Sequence, residues 1–257
     1  MAHYKPIMHQ GLAANIPVFL YEPNPAESND EGVLIISSAP WDSMRLSWFY
    51  RHLAEQLAQL GYTVTHFDLT GTGASPVPTK DMDWNAWLSD CSQMRDFARK
   101  RSRRLHLVGP RLGGRLALIA AQSFAFRSVH LIDPVIDGTT YWRELQHIQS
   151  EFLAENSRYD MNHTTELELL GYPLAPFGDV ATTPLNMNDF KTRRVRIYTS
   201  LGISPTAPLA QQFIEQNRDV IVIETPDRFS WTNFKSLHHQ CFCLETTRFI
   251  AHHLADS

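Results

Sequence analysis

The chain has 257 residues, of which 43% are apolar and 19% charged, with a net charge of −4. Its length suits one large α/β domain, alone or with an insertion, and its apolar content excludes global disorder. The acidic balance, with a pI near 6.3, argues against a broad nucleic-acid-binding face.

The three cysteines make up no disulfide framework, which is typical of a reducing compartment. We find no basic flank followed by an apolar stretch near the N-terminus, and no apolar run approaches the ~18 residues of a membrane span. The expectation is therefore a cytoplasmic protein without a transmembrane segment. Gly71-x-Gly73 predicts no nucleotide cofactor, because Pro76 and Pro78 delay the helix that a phosphate-binding turn needs.

Apolar runs alternate with helical patterns along most of the chain, which predicts a mostly parallel sheet with helices on both faces. Two strands are predicted around Gly11, followed by strands at 32–36, 62–68, 105–108, 128–133, 195–199 and 220–224. Helices are predicted at about 44–60, 84–101, 112–121, 141–156, 208–217 and 234–254. Residues 139–189 interrupt this alternation, so we expect them to form an inserted helical lid on a core made of 1–138 and 190–257.

One turn has the frame of a catalytic motif without the catalyst. The sequence Gly109-Pro110-Arg111-Leu112-Gly113 joins a predicted strand to a predicted helix. A Gly-x-Ser-x-Gly turn in that setting presents a nucleophilic serine at the top of a sheet. Here the central residue is Arg111, which stays protonated and cannot act as an acyl-transfer nucleophile.

The order of elements resembles the α/β-hydrolase fold across nearly the whole chain. The local features that carry this resemblance are Gly71-x-Gly73-x-Ser75 after a strand ending at Asp68, the elbow frame 109–113 followed by Gly114, and an insertion after the strand ending at Asp133. The resemblance implies a triad in the chain order Ser, then Asp or Glu, then His.

A narrower resemblance lies in the segment Asp133-Pro134-Val135-Ile136-Asp137-Gly138, continued by Tyr141-Trp142 and Glu144-Leu145. It is similar to a segment of the hydrolase-like proteins encoded with bacterial exosortase A sorting systems. One branch of that group carries arginine in the serine position. This resemblance implies a fold more safely than a reaction, because one fold supports many activities.

None of the three triad positions holds a suitable residue. The serine position is Arg111, and residues 200–204, where the acid is expected, contain no carboxylate. Residues 225–231, where the histidine is expected, contain no histidine, since His238 and His239 fall within the predicted last helix. Together these losses predict a site that no longer performs acyl transfer.

A buried guanidinium at a helix N-terminus is repelled by the helix dipole, so Arg111 requires a nearby anion. One reading is a structural ion pair with a carboxylate, for which the candidates are Asp42, Asp133, Asp137 and Asp227. The other is a ligand carboxylate, phosphate or sulfate held by the forked guanidinium. Both readings stay open at this stage.

Further residues are expected around the same cavity. Leu112 and Trp41 would supply backbone N–H groups to an oxyanion, whereas Pro40 has none to offer. Trp41, Trp142 and Trp231 are expected to give the cavity aromatic walls. Asp133 could be a displaced catalytic acid, although Asp-Pro more often begins a turn. His238-His239-x-Cys241-x-Cys243 predicts no metal site, because no second ligand pair accompanies it.

Three functional hypotheses remain. The preferred one is a non-hydrolytic protein of this fold that binds an anionic or acyl-bearing small molecule through Arg111, or serves as a partner protein, in a biosynthetic or export pathway. The second is a cyclase, lyase or acyl transferase with Asp133 or Asp227 as proton carrier. The third is an esterase-like hydrolase whose nucleophile is displaced, for example to Ser37, Ser38 or Cys91.

Overall fold

The computed structural model describes residues 3–155, 168–169, 172–173, 183–200, 206–227, 231 and 243–255. Ten strands are assigned within them: β1 His3–His9, β2 Ile16–Glu22, β3 Glu31–Ile36, β4 Thr63–Phe67, β5 Arg104–Pro110, β6 Val129–Ile132, β7 Glu168–Leu169, β8 Tyr172–Pro173, β9 Arg194–Ser200 and β10 Asp219–Thr225. Eight of these form one sheet in the order β1-β2-β4-β3-β5-β6-β9-β10. Pairing is antiparallel from β1 through β2 to β4 and parallel elsewhere. The predicted mostly parallel sheet is confirmed.

Within the described residues, six α-helices accompany the strands: α1 Pro40–Gln59, α2 Trp84–Arg99, α3 Arg111–Ser123, α4 Gly138–Glu155, α5 Thr206–Glu215 and α6 Leu244–Ala255. The predicted start of α1 near Met44 was wrong, because the helix begins at Pro40. Proline suits the first helical position, where its fixed φ fits and its missing N–H would have no partner anyway. Most of the predicted last helix before Leu244 lies outside the described residues.

The sheet is covered on both faces. Side chains alternate along β3, so that Leu34 and Ile36 join the apolar cluster beneath α2 and α3, whereas Val33 and Ile35 join the cluster beneath α1 and α6. This explains why the central strands are nearly continuously apolar, since each face of a doubly covered sheet must be buried.

A row of buried polar groups crosses the face beneath α1 and α6. Glu31 Oε2 lies 3.0 Å from His106 Nε2, and His106 Nδ1 lies 2.7 Å from Ser128 Oγ. The row continues from Ser128 Oγ to His130 Nε2 at 2.8 Å and from His130 Nδ1 to the Tyr198 hydroxyl at 3.0 Å. Burial lowers the pKa of His106 and holds the pKa of His130 well below its usual value. Both rings are therefore neutral. The hydrogen bonds can then all point the same way along the row, from the Tyr198 hydroxyl to the Glu31 carboxylate.

The segment 139–189 follows β6 in the chain and precedes β9. Its described parts include most of α4 and the short β7–β8 hairpin. Tyr141, Leu145 and Ile148 give α4 a buried face at helical spacing. The division into a core and a lid stays a prediction.

Candidate functional site

Arg111 lies at the turn between β5 and α3, and its backbone is left-handed, with φ of +49°. A non-glycine residue in this region is strained, and such strain is concentrated at functional turns. The neighbouring glycines allow the turn to be this tight. A Cβ on Gly109 would lie 2.4 Å from the Gly113 carbonyl oxygen, and one on Gly113 would lie 2.6 Å from that of Ile36. The backbone thus has the elbow geometry expected from the sequence.

The side chain of Arg111 is 9% exposed and points toward α4. One terminal nitrogen lies 3.3 Å from Glu144 Oε2, and the Glu144 side chain is 36% exposed. The guanidinium carbon lies 5.6 Å from the Tyr141 ring centre and 5.1 Å from that of Trp231. Its Nε is buried with no hydrogen-bond partner in the described part of the chain. Among the described residues, the carboxylate within ion-pair distance of Arg111 is Glu144 of α4, so none of the four predicted carboxylates makes that pair. Asp42 interacts with the Arg111 charge at longer range.

The backbone N–H of Leu112 is already engaged. It donates to Ser38 Oγ at 3.2 Å, and the Ser38 hydroxyl donates to Asp42 Oδ2 at 3.0 Å. In acyl-transfer enzymes of this architecture, the N–H that follows the nucleophile stabilises an oxyanion. Here an oxyanion would have to displace the Ser38 hydroxyl from that donor.

Asp42 is a second carboxyl group near Arg111, and it is 2% exposed. Burial raises its pKa, whereas the nearby Arg111 charge and the Ser38 hydrogen bond lower it. The Tyr141 hydroxyl lies 3.5 Å from Asp42 Oδ2 and accepts from the Trp41 indole N–H at 3.1 Å. Asp42 is thus held between the elbow and α4.

Pro40 and Trp41 lie in the first turn of α1 rather than on a loop, because the helix begins earlier than predicted. Trp41 is buried, and its indole N–H donates to the Tyr141 hydroxyl, so its ring packs between α1 and α4. Trp142 is partly buried against the large apolar cluster that includes Tyr141 and Leu145. Of the three tryptophans expected around the cavity, Trp231 contacts the guanidinium directly.

Asp133 follows β6 with φ of +40° and is fully buried. Its carboxylate accepts from the Ser200 N–H at 3.0 Å, the Ser200 hydroxyl at 2.6 Å and the Trp231 indole N–H at 2.9 Å. These bonds join the ends of β6 and β9 and orient Trp231 beside Arg111. Through these hydrogen bonds Asp133 positions Ser200 and Trp231. A catalytic role for Asp133 stays a prediction.

Asp227 follows β10 and is partly buried. Its Oδ2 accepts from both the backbone N–H and the hydroxyl of Thr246, each at 2.6 Å. Thr246 lies in the first turn of α6, where N–H groups have no partner within the helix. Asp227 therefore secures the start of α6, and its role as a proton carrier stays a prediction.

We expect Asp227→Ala to lower the free energy of unfolding by about 1 kcal/mol, because a first-turn N–H and the helix dipole both lose their carboxylate. Denaturation by urea measures this loss. Asp227→Asn, which keeps an acceptor oxygen, should lose less. Equal stability of Asp227→Ala and the unsubstituted protein would contradict the role assigned to this carboxylate.

Ser37 and His66 form a buried serine–histidine pair, with Oγ 2.9 Å from Nε2. The Ser37 hydroxyl donates its one proton to the Phe67 carbonyl at 2.6 Å, so it accepts from His66. Burial lowers the pKa of His66 to about 3, so its ring is neutral. With its proton on Nε2, the ring cannot act as a base toward Ser37. Ser37 is therefore not activated as a nucleophile by His66, and this pair does not support the hypothesis of a displaced serine.

Two triad positions lie partly or wholly outside the described residues. These are the acid position 200–204, of which Ser200 is described, and residues 228–230 of the histidine position, together with His238, His239 and Cys241. Within the described ranges, no three His, Cys, Asp or Glu side chains are grouped as metal ligands would be. The expectation of no metal site stays a prediction.

Sequence reasoning did not identify Glu144 as the partner of Arg111. It also did not predict that the Ser38 hydroxyl accepts the hydrogen bond of the Leu112 N–H. Helical spacing could have indicated Glu144, because Tyr141 and Glu144 are three residues apart and share a face of α4. Nothing local marks Ser38, whose contact with Leu112 joins positions 74 residues apart.

The chain is similar to known proteins in part of its sequence and in its structure. A family model described as serine aminopeptidase, S33, matches residues 44–154, which is less than half of the chain. No curated protein sequence matches the chain. Over nearly their full lengths, the chain is similar to Est1E of Butyrivibrio proteoclasticus with bound ferulic acid, an esterase from Pyrococcus furiosus and mouse alpha/beta hydrolase domain-containing protein 10.

The respective identities are 14%, 13% and 16%, and the TM-scores are 0.62, 0.63 and 0.57. The alignments cover 97%, 99% and 99% of this chain and 96%, 91% and 97% of the other chains. At these identities the likeness shows the fold alone. The chain has the α/β-hydrolase fold, as its sheet, elbow and element order indicated. Among the described residues, no helix combines the length and apolar character needed to cross a bilayer.

Proposed function

We propose that this chain is a non-hydrolytic protein of the α/β-hydrolase fold that binds an anionic or acyl-bearing small molecule at Arg111, beneath a lid formed by residues 139–189. One observation carries the proposal. The guanidinium at the elbow is buried, yet among the described residues it makes one hydrogen bond, of 3.3 Å to the partly exposed Glu144, and its Nε has no partner.

A guanidinium has five N–H donors, and a bidentate carboxylate or phosphate satisfies two of them at once. The Glu144 carboxylate pairs with one terminal nitrogen of Arg111. The Glu144 side chain is itself partly exposed to solvent. A ligand anion could replace Glu144 at Arg111 while the Glu144 carboxylate turns to water. Tyr141 and Trp231 would then lie beside the apolar part of the ligand.

Two features oppose serine-hydrolase chemistry at this turn. Arginine cannot be deprotonated to form an acyl intermediate. In addition, the Leu112 N–H is engaged by Ser38, whose hydroxyl is in turn fixed by Asp42. Both features support a retained elbow that serves binding rather than acyl transfer.

The binding test uses octanoate, an acyl carboxylate, with octan-1-ol as the neutral comparison, measured by isothermal titration calorimetry. We expect octanoate to bind more tightly than octan-1-ol. Arg111→Gln should weaken octanoate binding by about tenfold or more, because a charge-assisted hydrogen bond contributes about 1.5–3 kcal/mol. Glu144→Gln should strengthen binding, since it removes the competing carboxylate.

Arg143→Gln is the matched control, because Arg143 is exposed on the same helix; it should bind octanoate as the unsubstituted protein does. The proposal fails if octanoate and octan-1-ol bind equally, or if Arg111→Gln leaves octanoate affinity unchanged. It also fails if the protein turns over p-nitrophenyl butyrate, keeps that activity as Arg111→Ala and loses it to a serine-reactive fluorophosphonate.

A second candidate function is catalysis of a non-hydrolytic reaction. The environment of Asp42 is the observation that favours it. Its raised pKa and its position near Arg111 suit a carboxyl group that donates a proton while the guanidinium stabilises negative charge. If the protein is such an enzyme, Asp42→Asn would abolish turnover while retaining octanoate binding.

A further inference from the structure

A cavity lies beside the end of β4, and Arg111 is not among its lining residues. Its volume is about 480 Å³, and aromatic rings of the β1–β2 pair, of α1 and of β8 line it. Those rings belong to Tyr4, Phe19, Tyr21, Tyr50 and Tyr172. Polar side chains also line it, among them His66 and Asp68. Cavities of this size with a few convergent polar groups are typical of small-molecule sites.

Asp68 brings an uncompensated carboxyl group to this cavity. Its Oδ2 accepts the Ala74 N–H at 2.8 Å, and the described residues provide its carboxyl group with no cationic partner. Burial raises the pKa of Asp68, and the Ala74 hydrogen bond opposes that rise only in part. Arg51, a cation in the lining, is paired with Glu55 at 2.8 Å on the exposed side of α1. The carboxyl group of Asp68 is therefore not compensated by this cation.

His66 adds a second acceptor. Because the Ser37 hydroxyl donates to Phe67, His66 donates to Ser37 through Nε2, and its Nδ1 carries a lone pair. The ring is stacked between Phe19 and Tyr50, with centroid distances of 5.4 and 4.5 Å. Besides the aromatic faces, the lining thus offers acceptors at Asp68 and His66. The hydroxyls of Ser43, Ser47 and Thr72, which also line the cavity, donate to backbone carbonyls.

We propose that this cavity binds an organic cation, a protonated amine on an aromatic or apolar body, with Asp68 and His66 accepting from the ammonium group and the tyrosine rings covering the body. Aromatic faces attract cations through their negative quadrupole, and a partly desolvated carboxylate strengthens that preference. An anion would be repelled by Asp68, and the lining cation Arg51 is already paired with Glu55. Within the described residues, one carboxylate and one imidazole are also too few ligands for a protein-held metal ion.

The test compares three probes of similar size by calorimetry at pH 7.5: 2-phenylethylamine, which is cationic, 3-phenylpropan-1-ol, which is neutral, and 3-phenylpropanoate, which is anionic. We expect the amine to bind at least tenfold more tightly than the alcohol, and the anion to bind most weakly. Asp68→Asn should weaken amine binding at least tenfold while keeping an acceptor for the Ala74 N–H. Asp81→Asn, an exposed substitution in the neighbouring turn, is the matched control.

Tyr172→Ala gives an independent measurement, because Tyr172 is only partly buried and its loss opens the cavity without disturbing β4. It should weaken amine binding several-fold. The proposal is overturned if the amine does not bind, if the anion binds as tightly as the amine, or if neither Asp68→Asn nor Tyr172→Ala changes amine affinity. Arg111→Gln should leave amine affinity unchanged, so a failure at the elbow and a failure at this cavity are separate results.

Discussion

Replacing Gly113 by alanine should lower the free energy of unfolding by about 3 kcal/mol or more. A methyl group at this position would lie 2.6 Å from the Ile36 carbonyl oxygen and 2.8 Å from that of Ser37. Both are backbone atoms at the end of β3, so relief requires α3 to move away from the sheet. Urea denaturation of the purified variant, monitored by circular dichroism, measures the loss.

Ser123→Ala, an exposed change at the end of the same helix, should alter stability by less than about 0.5 kcal/mol. A folded Gly113→Ala protein with unchanged stability would show that α3 does not approach β3 as closely as described. Gly113→Ala should also bind octanoate weakly even where it folds, because moving α3 carries Arg111 away from the Tyr141 and Trp231 rings that would lie beside the ligand.

Acidification should destabilise the fold strongly, because several buried histidines are neutral in the native state. Burial lowers the pKa of His66 to about 3, compared with about 6.5 in the unfolded chain. Between these values the unfolded chain binds a proton that the folded chain excludes, so stability falls as the pH drops below 6.5. At pH 5 the loss from His66 alone is about 2 kcal/mol. His106 and His130 act in the same direction.

Urea titrations at pH 7.5, 6.5, 5.5 and 5.0 measure this dependence. His66→Asn should reduce the dependence, because its side-chain amide can donate to Ser37 without titrating. His147→Asn, at an exposed position of α4, should leave the dependence as it is. The assignment of neutral buried imidazoles is refuted if stability stays constant between pH 7.5 and 5.0.

Local sequence patterns predicted most elements because each depends on neighbouring residues. The apolar run of 105–108 gave β5, and the small-residue run after Arg111 gave α3. The start of α1 was misplaced because Ser-Ser-Ala-Pro suggests a loop, although Pro40 suits a first helical turn equally well. The row of His106, Ser128 and His130 was not foreseen, since these residues come together only when β5 and β6 pair.

At the candidate site, the sequence by itself determined the elbow and its residue. Glycines at 109 and 113 around Arg111, between a strand and a helix, specify a sharp turn that presents a permanent cation. Only the tertiary structure decided which groups surround that cation. Glu144 reaches it from α4, Trp231 is held beside it by Asp133, and Ser38 occupies the Leu112 N–H. The physical reason is the range of the interactions: turn geometry depends on a few adjacent residues, whereas a charge takes its partner from any segment that the packed sheet brings near.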